Sequence, residues 1–161
     1  MSNKDFHYRI IKARLAETLI KELFQACGYF VFEYGMERTL PLLMQNIKGQ
    51  KDETAINIRS MPDFVVQNAE DGTLKYVEVK YRKNGAFNRT ELIKDYPYKN
   101  AVFIIVSQNN IQIITYKNLQ TGRALPEKHH YNIEYTRQFD LNRDIVLEYK
   151  KYASTFFKDV D

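Results

Sequence analysis

The sequence holds one cysteine, Cys27, and no tryptophan. A lone thiol excludes an internal disulfide and any multi-cysteine zinc site, so neither staple holds this fold together. Cys27 closes an apolar stretch beside Gly28, the ordinary setting of a reduced, buried thiol. Glycine and proline are sparse, at six and four residues, which excludes collagen-like and Pro/Gly-rich disordered classes. No apolar run approaches the ~20 residues that a membrane-spanning helix needs. Met1-Ser2-Asn3-Lys4-Asp5 leads into charged, helix-periodic sequence unlike a secretory signal. The expectation is a cytoplasmic chain with no membrane partner.

What is present is a folded, globular composition: 161 residues, 44% hydrophobic and 27% charged. That length suits a single domain over residues 1–161, with a C-terminal helical extension from about 143. Twelve tyrosines and ten phenylalanines supply rings mainly for the core, with a few able to stack on bases. The formal charge of +4 is compatible with a polyanionic partner, because Lys and Arg displace counterions from phosphates. Basicity this modest is also common in proteins that never meet nucleic acid.

Apolar residues recur at helical spacing from Phe6 to Ala26, through Ile10, Ile11, Leu15, Leu19, Ile20, Leu23 and Phe24, and Gly28 follows as a stop. Tyr29-Phe30-Val31-Phe32 reads as a strand. Pro41 opens a short helical segment, Leu42 to Ile47, and the polar run Gly49 to Thr54 reads as a loop. Asp63 to Gln67 and Leu74 to Tyr81 read as two strands of a hairpin, joined by turn chemistry that includes Asp71-Gly72. Arg89 to Asp95 is expected as a short helix before Pro97. Ala101 to Ser107 reads as a buried strand, Ile111 to Tyr116 as another, and Arg143 to Phe157 as a final helix. This order predicts an α/β protein with a mixed sheet flanked by helices.

The chemistry concentrates on the hairpin. Alternation along a strand puts Glu78 and Lys80 on one face and Val77 and Val79 on the other. Antiparallel pairing around the Asp-Gly turn sets Asp63 roughly opposite Glu78. Two carboxylates ~4 Å apart repel by about 4 kcal/mol at an effective dielectric near 20, so a shared proton or a cation is expected between them. Such a pair suits Mg²⁺, which takes one or two carboxylates and completes its shell with waters and substrate phosphate. Lys80 then falls close enough to orient a hydrolytic water.

Pro62-Asp63, the hairpin turn and Glu78-Val79-Lys80 resemble the signature of the PD-(D/E)XK nuclease superfamily. The helix glutamate Glu17, about three turns before Gly28-Tyr29, matches as well, and the resemblance runs from roughly Ala13 to Tyr116. The Gln-x-x-x-Tyr that marks one branch of the superfamily does not follow, and the subfamily stays open. The resemblance implies a restriction-endonuclease-like fold and a Mg²⁺-dependent endonuclease acting on DNA, with Mn²⁺ able to substitute. It implies Asp63 and Glu78 as metal ligands, the Val79 carbonyl as a further one, Glu17 as an accessory ligand and Lys80 as the catalytic lysine.

Each residue also has an ordinary reading. Asp63, Glu78 and Lys80 read otherwise as a cross-strand ion pair on an exposed hairpin, and Glu17 as a solvated helix residue. Tyr81, Arg82, Lys83, Arg89 and Lys94 are candidate nucleic-acid contacts or simply solvated. The pair His129-His130 lacks the partners of a zinc set and reads as loop, in a stretch made basic by Lys117, Arg123 and Lys128. Two other functions share the pattern: a catalytically idle, nuclease-derived nucleic-acid-binding subunit, and a protein-interaction module. A homodimer, or a place in a larger nucleic-acid-processing complex, is compatible with this size.

Overall fold

Helix α1 (Asn3–Ala26) buries Ala16, Leu19, Ile20, Leu23 and Phe24. The computed structural model describes residues 3–36, 40–121 and 131–158. Ile11, expected in the apolar stripe, is 60% exposed. It stands nine residues from Ile20, which at 3.6 residues per turn is about half a revolution around the helix. The helix closes on Gly28, whose φ of +84° is cheap only for glycine.

The chain then enters a five-stranded sheet built from β1 (Tyr29–Glu33), β2 (Phe64–Asn68), β3 (Leu74–Tyr81), β4 (Val102–Val106) and β5 (Ile111–Thr115), in the order β1-β2-β3-β4-β5. All neighbouring pairs are antiparallel except β3 and β4, which run parallel. The protein is thus a mixed α/β fold with helices against its sheet, as its alternating patterns predict. Between β1 and β2 lie two short helices, α2 (Pro41–Asn46) and α3 (Glu53–Arg59). The polar run expected as loop therefore hides a helix start. Asp52 caps α3 by accepting the Ala55 N–H at 2.9 Å, which is what a short acidic side chain does best at this position. Arg59 ties α3 back to α2, donating to the carbonyls of Ile47 and Gln50.

Parallel strands need a long connection, usually a helix. Here residues 82–101 cross from β3 to β4 with only one 3-10 turn, Arg89–Glu91. The helix expected through Asp95 stops because Leu92 is already extended, at ψ 149°, and Asp95 takes a φ of +58°. The crossover instead lays Phe87 and Tyr96 on the β4 residue Phe103.

Side-chain alternation divides the interior in two. On one face Val77, Val79, Ile104 and Val106 meet α1 and the last helix, α5 (Arg143–Phe157), through Val146, Ala153 and Phe157. On the other, Phe103, Ile105 and Ile114 meet the crossover and Leu119 of α4 (Tyr116–Gln120). Tyr116, expected as strand, instead begins α4, because Thr115 Oγ1 accepts the Asn118 N–H and caps a helical turn. The outer side of β5 is covered where the Ile113 N–H reaches the Tyr131 carbonyl at 2.8 Å. Among the described residues no helix is long and apolar enough to cross a membrane. Arg123, Lys128, His129 and His130 lie outside the described residues.

Candidate active site

The site arises where the sheet is uneven. Strand β2 pairs with β3 only as far as Phe64 opposite Val77, whereas β3 continues to Tyr81 alongside β4. The last residues of β3, from Glu78 onward, therefore overhang β2. An overhanging strand leaves backbone groups without a ladder partner, and these must be satisfied some other way. Asp63, the residue before β2, does this: its Oδ2 accepts the Val79 N–H at 2.7 Å. Its own carbonyl accepts the Tyr34 N–H at 2.9 Å, which pins its backbone to the end of β1. Extending the register by one step sets Asp63 opposite Glu78, as the hairpin reading anticipated.

Glu78 and Lys80 share a face of β3, and the Lys80 ammonium forms a short ion pair with the Glu78 carboxylate. The pair runs along one strand at i and i+2, not across the hairpin. Glu78 is the more sheltered partner, with 12% of its side chain exposed against 34% for Lys80. Burial pushes the Lys80 ammonium down, but the Glu78 and Asp63 carboxylates and the hydrogen bond to Glu78 outweigh it, and the net shift is upward. Lys80 is therefore a firm cation in this arrangement.

Beside the overhang lies a cavity of about 710 Å³, within the range of ligand sites. Asp63, Glu78, Val79 and Lys80 form one wall. Helix α1 forms another. Ile10, Ala13 and Glu17 fall within about 60° of one another around its axis, so they share a side and all line the cavity. The side of α1 that packs on the sheet through Ile20 and Phe24 continues through Glu17, Ala13 and Ile10, which sets Glu17 in the same cavity as Asp63 and Glu78. Arg9, Lys12, Arg14, Arg82 and Lys83 also line it. The Lys12 ammonium lies 4.3 Å from the Tyr8 ring centre and 5.7 Å from that of Tyr81.

The remaining candidates divide. Tyr81, Arg82 and Lys83 line the cavity. The Tyr81 ring is stacked on Phe157 at 4.5 Å, and Arg82 Nε donates to Glu91 at 2.7 Å. Arg89 and Lys94 are exposed and stand outside the cavity lining. Sequence reasoning missed Arg9, Lys12 and Arg14. Arg9 and Arg14 lie a helical turn or two from Glu17, at i−8 and i−3, and that spacing was the available signal.

Among the described residues, no three or more His, Cys, Asp or Glu side chains are gathered closely enough to hold a metal ion. The donor set at the overhang is a carboxylate pair with a backbone carbonyl, and Glu17 lines the same cavity. Such a set does not make a closed zinc centre. It does fit Mg²⁺, which commonly binds one or two carboxylates and fills its shell from water and phosphate oxygens. Comparison with protein-family models, with curated proteins and with solved structures finds no match for this chain.

Proposed function

We propose that the protein is a Mg²⁺-dependent endonuclease of restriction-endonuclease-like fold that hydrolyses DNA phosphodiesters, in a cytoplasmic setting. One observation carries the reading. Asp63, held by the Val79 N–H, faces Glu78 in register and shares with Lys80 and Glu17 a cavity that several cations also line. Acid pair, lysine and cationic lining together match the chemistry of a bound phosphodiester better than any single feature does.

In this reading Asp63, Glu78 and the Val79 carbonyl hold the metal, with Glu17 assisting. When bound, the metal supplies Lewis-acid polarisation of the phosphate and a water acidic enough to attack it. Lys80, held cationic by its two carboxylate neighbours, orients that water and offsets charge building on the phosphoryl oxygens. Arg9, Lys12, Arg14 and Lys83 fix the phosphate backbone without reading sequence.

Labelled DNA incubated with Mg²⁺, Mn²⁺ or EDTA tests this directly. Cleavage should require the metal and fall by about 10²-fold or more in Asp63→Asn and in Lys80→Ala, the scale of losing one electrostatic contributor to a transition state. Wild-type rates in either variant would sink the assignment. Metal-independent, salt-sensitive binding without cleavage would instead favour the idle nucleic-acid-binding subunit.

A further inference from the structure

The cavity has a wall that hydrolysis does not use. Besides the acid pair it is lined by Met36, Met44 and Met61, together with Ile58 of α3. These four side chains are half-buried and share the cavity with the acid pair, Lys80 and the cations of α1. Methionine is unbranched and polarisable, and its thioether makes favourable contacts with aromatic faces. An apolar, adaptable lining in one cavity with a cationic, phosphate-handling one is matched by one kind of molecule above others: a nucleotide, with its phosphate at one end and a flat ring at the other.

A volume of about 710 Å³ is that of a small-ligand pocket, and a base can enter such a pocket only when it is unpaired or flipped from its stack. The cations lining the cavity complement the strand that would carry the base. Arg9, Lys12 and Arg14 on α1 and Lys83 beyond β3 line the same cavity. Arg59 also borders the cavity, but its guanidinium is engaged by the Ile47 and Gln50 carbonyls, so it holds the wall in place.

We infer that the cavity takes an unpaired nucleotide, its base against Met36, Met44 and Met61 and its phosphate at Asp63, Glu78 and Lys80, so that the substrate is single-stranded DNA and not an intact duplex. This inference rests on the proposed nuclease reading for its phosphate end and on the methionine wall for its base end. Methionine side chains offer the base no directional donors or acceptors, so all four bases are accepted alike.

The test uses two substrates without ends: a single-stranded DNA circle, and the relaxed, covalently closed duplex circle of the same sequence. Cleavage is followed with Mg²⁺. Binding is followed in EDTA by fluorescence anisotropy, using a labelled dodecathymidylate and an abasic strand of equal length and charge. The single-stranded circle should be cut at least ten times faster than the duplex circle. The dodecathymidylate should bind about ten times more tightly than the abasic strand, and Met44→Ala/Met61→Ala should abolish that difference, as loss of buried apolar contact implies. Met36→Ala, on the loop after β1, should reduce the difference in part, and reads out the same wall if the double variant folds poorly.

Equal or faster cutting of the duplex circle, with cleavage still lost in Asp63→Asn, would overturn the single-strand inference and leave the nuclease reading intact. So would equal affinity for the abasic strand. Base-dependent binding without any cleavage would support the base wall and remove hydrolysis. Absence of both binding and cleavage would overturn both.

Discussion

A substitution at Asp63 separates chemistry from folding only if it keeps an acceptor where Oδ2 now sits. That oxygen satisfies the Val79 N–H, a group left without a ladder partner where β2 stops. Asp63→Ala therefore removes the acid and orphans a partly buried donor, at a cost of ~1–3 kcal/mol. Asp63→Asn keeps the acceptor and should stay within about 1 kcal/mol of the parent, while losing cleavage equally. Urea unfolding of both variants checks this, and equal destabilisation by Asn and Ala would remove the edge-capping role. A second residue-scale expectation concerns Gly85, where the chain leaves β3 with a φ of +71°. A Cβ there would lie 2.9 Å from Gln112 Oε1, on a side chain that is fully buried and cannot readily retreat. Gly85→Ala should cost at least ~1–3 kcal/mol for backbone strain alone, read from thermal or urea denaturation.

Among the elements, those with a long period and a hard stop were legible in the sequence. The bounds of β3 and α5 match the sequence reading, because strict alternation ends at Lys83-Asn84-Gly85 and helical spacing runs uninterrupted from Arg143. The short elements were not. Helix α3 is seven residues long, too few for periodicity, and only the capping role of Asp52 betrays it. Helix α4 is hidden by Tyr116, whose aromatic ring suits a strand as well as a helix. The crossover was misread because Arg89 to Asp95 carries helical propensity but gains its stability by placing Phe87 and Tyr96 under the sheet. The facing of Asp63 and Glu78 could be read early, since the hairpin turn sets the register. The cations of α1 were signalled only by the spacing of Arg9 and Arg14 from Glu17, because their place at the cavity depends on where β2 ends. One contact between elements makes a prediction of its own. Lys150 of α5 pairs with Glu134 at 2.8 Å, and the Glu134 side chain is only 5% exposed. Lys150→Met should leave that carboxylate without its cation, though still accepting from the Asn132 amide at 3.3 Å, and cost about 3 kcal/mol, the lower end for breaking a buried pair, because Lys150 keeps 17% exposure. Adding Glu134→Leu should restore most of the loss in a double-mutant cycle, and failure to do so would show that the pair does not act as a unit.

At the scale of the whole molecule, the abundance of tyrosine sets how stability responds to alkali. Burial raises the phenols of Tyr29, Tyr96, Tyr98 and Tyr149 above their ordinary value. A tyrosine is neutral until it loses its proton, so a raised value in the folded state lets the unfolded chain release protons first. Above about pH 10 the unfolded state then binds fewer protons, and stability falls as pH rises. Lys80 adds to the same limb: its raised value contributes stability that is present below ~10.4 and lost as pH climbs through the folded value. The urea midpoint should therefore hold steady up to about pH 9 and drop steeply beyond pH 10. Tyr96 isolates the cause. Its ring is 5% exposed, stacked with Tyr116 at 5.8 Å, and its hydroxyl finds no hydrogen-bond partner among the described residues. Tyr96→Phe removes a buried polar atom that gains nothing in return, so at pH 7 it should be neutral or stabilising by about 1 kcal/mol. It should also flatten the alkaline limb, because the group that most resists ionisation is gone. A variant as steep in alkali as the parent, or one destabilised at pH 7, would show that the Tyr96 hydroxyl is engaged in the folded protein and that the alkaline limb belongs to other groups.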